Sequence, residues 1–155
     1  MIAAVKSLMR FLGDLLDFLT GEGSWSLRPH ERLAIDAAID TLPELGQVLL
    51  RSQLNGTTFV QRSPKQISRP RFYTAPYLQD RRAIEDGEYS HKVVDVQFEV
   101  DGVKQVANVE FFRGRVDCIQ FKRPAAHYVG KTLRVTGTRP GKPSRTHAAA
   151  IDRLE

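Results

Sequence analysis

A chain of 155 residues, 41% hydrophobic and 26% charged, has the composition of an ordinary globular domain and is long enough to bury one core without staples, which excludes wholesale disorder. The single cysteine, Cys118, excludes an internal disulfide and favours a reducing, cytoplasmic setting. The net charge of +5 sits at one end: residues 1–54 carry −2, residues 55–112 balance, and residues 113–155 carry +7. A basic final third suits an acidic partner, whether nucleic acid, an acidic protein or an anionic membrane, or simply keeps the chain soluble.

The first segment, "MIAAVKSLMRFLGDLLDFLT", reads neither as a signal peptide nor as a membrane span, because Lys6, Arg10, Asp14 and Asp17 interrupt its apolar run. On a helix, its apolar residues fill an arc of about 200°. Leu8, Phe11, Leu12, Leu15 and Leu19 are its candidate partner-binding residues. So broad a face needs cover from its own domain, a partner protein or a second copy. A polar face of mixed charge argues against a lipid surface. "TGEGSWS", residues 20–26, reads as a hinge, which divides the chain into an amphipathic helix (1–20, hinge 21–26), a single domain (27–138) and a basic flexible tail (139–155).

A second helix opens at Pro29 and carries Leu33, Ile35, Ala38, Ile39 and Leu42 at helical spacing. "TLPE", Thr41 to Glu44, has the pattern of a capping box and predicts a third helix, with Leu45, Val48, Leu49 and Ser52 as its core stripe. "NG", Asn55-Gly56, is expected to end it with a left-handed residue. "TTFVQR", residues 57–62, is β-branched and aromatic enough for a strand.

Residues 63–82, "SPKQISRPRFYTAPYLQDRR", contain three prolines and read as a long loop with at most a short edge strand. Arg69, Arg71, Arg81 and Arg82 interleave there with Phe72, Tyr73 and Tyr77. Aromatic faces that stack bases beside cations that hold phosphates make these the candidate nucleic-acid-binding residues, the alternative to a protein surface.

The clearest stretch is "VVDVQFEVDGVKQVANVEFFRGRVDCIQF", Val93 to Phe121. Val94, Val96, Phe98 and Val100 alternate with polar residues, and Asp101-Gly102 suits a type I′ turn, so Val100 should face Val103 and Val94 should face Val109. The turn at Arg113-Gly114 is ambiguous: a two-residue loop buries Val116 and Cys118, a three-residue loop Ile119 and Phe121. Either way Val106 and Phe112 remain on a partly apolar outer face suited to binding. A last strand is expected at Lys131 to Thr138.

No catalytic, cofactor-binding or metal-binding signature appears. "HERLA" at His30 has Ala34 where a zinc protease needs its second histidine. Cys118 with His91 or His127 as base is a nucleophile in principle, but a strand cysteine is more often a small core hydrophobe.

Helices closing "LLRSQL" and a meander closing "VANVEFFRGRVDCIQF" resemble, over Leu42 to Phe121, small bacterial helix-plus-meander proteins found among toxin-immunity and other interaction modules. The basic charge departs from the acidic balance of many immunity proteins. The same order of elements is similar to cystatin-like and nuclear-transport-factor-like cone folds, which implies a third reading as a small-ligand-binding or enzymatic domain. The sequence thus predicts an α+β fold with N-terminal helices packed on an antiparallel meander of four or five strands. Its leading functional expectation is a protein-interaction module using the first helix and the outer sheet face.

Overall fold

The computed structural model describes residues 12, 15, 16, 19, 23–56, 59–62, 67–71, 91–112 and 114–142, with residues 67–71 through their backbone alone. The fold is α+β. Helices α1 (Pro29–Ile39) and α2 (Glu44–Asn55) accompany strands β1 (Gly23–Ser24), β2 (Phe59–Arg62), β3 (Ile67–Arg71), β4 (His91–Val100), β5 (Val103–Phe112), β6 (Arg115–Phe121) and β7 (Leu133–Pro140). The strands form one sheet in the order β1-β2-β3-β6-β5-β4-β7, antiparallel throughout.

Among the described residues the sheet has seven strands where the sequence predicts four or five, because it recruits two segments whose glycines and prolines predict irregular structure. The supposed hinge contributes β1, in which Gly23 faces Gln61 and Ser24 faces Val60. The proline-rich segment contributes β3, which is an interior strand rather than an edge: Ile67 and Ser68 pair with β6 while its whole length pairs with β2. Pro70, which lacks a donor for the ladder, lies beyond the two residues that pair with β6. At the other end β7 runs past Thr138 to Pro140, so the sheet extends into the segment read as tail.

Helix α1 begins where Pro29 presets the first turn and the Arg28 N–H donates to Glu31 Oε2 at 2.8 Å. Its buried face, Ala34, Ile35, Ala38 and Ile39, packs on Val94, Val96, Phe98, Val109 and Phe111 of the sheet. Each such aliphatic or aromatic side chain contributes about 1.5–3 kcal/mol when fully removed from water. The expected capping box at Thr41 is not formed. Its hydroxyl donates instead to the Ala38 carbonyl at 2.7 Å, satisfying an acceptor left over at the end of α1, and Pro43 takes the cap position of α2.

Helix α2 presents a different stripe from the one its apolar residues predict. Gly46, Leu50, Gln53 and Leu54 are buried, whereas Leu45 and Val48 are each 61% exposed. The polar member explains the rotation: Gln53 Nε2 donates to the Gly114 carbonyl at 2.7 Å, anchoring this face to the β5–β6 turn. Gly56 caps the helix at φ −94°, without the expected left-handed residue.

The β4–β5 hairpin follows its sequence: Val100 faces Val103, Val94 faces Val109, and Asp101 and Gly102 have φ of 50° and 80°. A Cβ on Gly102 would meet nothing within 4 Å, so any cost of replacement is backbone strain. Gly102→Val is therefore expected to lower stability by about 1–3 kcal/mol, read as a reduced melting temperature. An unchanged melting temperature would contradict the turn.

The β5–β6 connection follows neither expected register alone. Phe112 faces Arg115 across a two-residue loop, but a bulge at Glu110/Phe111 then shifts the ladder. Phe111 faces Val116, whereas Val109 faces Ile119 and Ala107 faces Phe121, so Val116, Ile119 and Phe121 all join the core. Cys118, opposite Glu110, turns to the outer face.

Candidate functional site

The described part of the first segment is helical at Leu12, Leu15, Leu16 and Leu19. Leu12, Leu16 and Leu19 follow the i, i+4, i+7 spacing of one helix face and are 44%, 63% and 71% exposed. Leu15 is half-buried. Each exposed leucine forgoes much of the 1.5–3 kcal/mol or so that full burial would contribute. Leu16, four residues after Leu12, belongs to this face although it was not among the candidates chosen from the sequence. Leu8 and Phe11 lie outside the described residues.

Other exposed apolar side chains are the pair Leu45 and Val48, one turn apart on α2, with Val103 at the hairpin tip and Val129 after the short 3-10 turn Ala125–His127. Trp25 is partly exposed, its ring edge on Phe59 at a centroid distance of 5.1 Å.

The outer sheet face does not form the open apolar surface expected of it. Val93, Glu110 and Cys118 at its centre are buried, and Val106 and Phe112 are half-buried. Its chemistry is polar. The Glu110 carboxylate stands between His91 Nε2 at 3.2 Å and Cys118 Sγ at 3.4 Å, the thiol donating. A cysteine nucleophile needs the imidazole as its own neighbour. Here the Glu110 carboxylate stands between the His91 imidazole and the Cys118 thiol. Among the described residues no group of three His, Cys, Asp or Glu is placed to hold a metal ion.

Arg69 and Arg71 fall within β3, opposite Gln61 and Phe59, while Phe72, Tyr73, Tyr77, Arg81 and Arg82 lie outside the described residues. The basic β7 region is matched by acids on and beside β4: Arg134 with Glu99 at 2.7 Å, Arg139 with Asp95 at 3.2 Å, and Lys131 with Asp101 at 3.3 Å. Each exposed pair contributes little to stability, roughly 0–1 kcal/mol. Together they offset part of the positive charge that a phosphate backbone would read.

Two buried clusters escaped the sequence. Glu31 and Arg62 form a two-pronged ion pair, Nε to Oε1 at 2.8 Å and Nη2 to Oε2 at 2.6 Å, with side chains 1% and 10% exposed. His30 stacks on Tyr128 at 4.8 Å and meets the edge of Phe121 at 5.0 Å. Burial lowers the His30 pKa below 6.5, helped by Arg28 and Arg62 and opposed by Glu31. Protonation therefore favours the unfolded chain, in which an ordinary histidine takes up its proton near 6.5. Stability held above that pH is expected to fall as the pH drops toward the lower folded-state pKa, and His30→Phe should flatten that slope in melting curves between about pH 7.5 and 5. An unchanged slope would count against the buried neutral imidazole.

No protein-family pattern, curated protein or solved structure matches the chain. Among the described residues no helix is long and apolar enough to cross a membrane.

Proposed function

We propose that the chain is a protein-interaction module whose contact surface is the helical face bearing Leu12, Leu16 and Leu19. The observation that carries this reading is the exposure of those three leucines, 44%, 63% and 71%, on one side of a helix. An apolar stripe of that kind gains free energy only when a second surface covers it. Two features support the helix over the other surfaces considered. The centre of the outer sheet face is already buried, and the basic β7 region is paired with carboxylates.

The test is Leu12→Asp combined with Leu19→Asp, with association measured by light scattering of the full chain and by pull-down. Loss of two apolar contacts, each about 1.5–3 kcal/mol, predicts an affinity reduced by roughly a hundredfold or more. The melting temperature should stay close to that of the wild type, because both side chains face solvent. Undiminished association would contradict the proposal, as would collapse of the fold.

A further inference from the structure

We infer that the chain leaving β7 forms a strap, Gly141 and Lys142, which shuts the outer sheet face beside Glu110, and that this face opens by release of the strap while the rest of the fold stays intact. β4 lies between β5 and β7 in the sheet, yet Asn108 of β5 donates from Nδ2 to the Lys142 carbonyl at 3.4 Å. The chain therefore turns over β4 after Pro140. Gly141 is the point of crossing. Its N–H donates to the Val93 carbonyl at 2.9 Å, and a Cβ there would lie 2.7 Å from Asp95 Oδ1, 2.8 Å from Val93 Cγ1 and 3.1 Å from Asn108 Nδ2. Only glycine lets the backbone come so close. Val93, against which it sits, is 7% exposed.

Asp95 is the latch. Its Oδ1 accepts from Asn108 Nδ2 at 3.1 Å and its Oδ2 from Arg139 Nε at 3.2 Å, so one carboxylate on β4 is held from β5 on one side and from β7 on the other. Opening the strap breaks these few bonds at the end of β7, whereas opening the sheet uncovers Val94, Val96, Phe98 and Val109 of the shared core. A segment held by a few partly solvated contacts opens far more often than the core does. The strap also borders reactive chemistry. Val93 faces Glu110 across the β4–β5 ladder, and Glu110, fully buried, accepts from the Cys118 thiol at 3.4 Å. Release of the strap uncovers Val93 and lets water and small reagents approach that carboxylate from the β4 side.

Cys118, the single cysteine, reports the opening. The full chain is treated with N-ethylmaleimide under native conditions and in dilute urea, and the adduct is followed by mass. The wild type is expected to react far more slowly than a free thiol, at a rate nearly independent of dilute urea, because strap release exposes little surface. Gly141→Ala wedges the strap away and should raise that rate about tenfold or more, with a melting temperature close to the wild type. Asn108→Ala removes one bond to the strap without adding bulk and should raise the rate as well. Gly102→Val weakens the whole fold at the far end of β4 and should leave the urea-independent rate unchanged. Equal rates in the wild type, Gly141→Ala and Asn108→Ala overturn the strap as the route, as do rates that climb with urea as steeply as global unfolding. A wild-type thiol as reactive as a free one overturns it too, since the face would then stand open.

Discussion

Arg62→Leu is expected to cost about 3–5 kcal/mol of folding stability, because it withdraws a two-pronged guanidinium contact from the Glu31 carboxylate, which is 1% exposed. The pair links the first turn of α1 to β2 across 31 residues of sequence. Arg62 also donates to the Ser24 hydroxyl and to the Ser26 carbonyl at 3.2 Å, so the same guanidinium holds the β1 segment in place. Chemical denaturation should show the loss directly. The double replacement Glu31→Leu with Arg62→Leu should recover much of it, since removing both charges ends the desolvation penalty. It would still leave the Arg28 N–H without its acceptor, a residual cost of about 1–3 kcal/mol. A single replacement costing under about 1 kcal/mol would mean that the pair is effectively solvated.

A loss of similar size is expected from Phe111→Ala. Phe111 is 1% exposed, faces Val116 beside the bulge, and packs into the cluster shared by α1 and the sheet. Removing a buried phenyl ring costs about 3–5 kcal/mol, the transfer free energy plus the cavity it leaves. Val103→Ala, at a position 58% exposed, serves as the control and should stay within about 0.5 kcal/mol of the wild type. Equal effects at the two positions would contradict the assignment of the core.

What was legible in the sequence was what is local. Alternation and the Asp101-Gly102 turn set the β4–β5 register residue by residue, because a period of two and a positive-φ turn are both written in neighbouring positions. The exposed Leu12 and Leu19 belong to a periodicity that the sequence also displays. Apolarity alone misled at α2, where the buried face includes Gln53, whose amide nitrogen donates to a carbonyl on a distant turn. Counting by twos misled at β6, where one extra residue carries Ile119 and Phe121 to the same face as Val116. The prolines of residues 63–82 concealed β3, because a strand tolerates proline where its neighbour does not reach. Glu31 with Arg62 and His30 with Tyr128 could not be read at all: nothing local joins residues that only the fold brings together.

The central claim is that the helix face bearing Leu12 and Leu19 binds protein, and site-specific photocrosslinking tests it most directly. A photoreactive side chain placed at position 12 or 19 of the full chain, and at position 48 as an apolar control of intermediate exposure, is irradiated under native conditions. The account predicts a discrete protein adduct from positions 12 and 19 and none from position 48. Adducts from position 48 alone, or from none of the three, would contradict it.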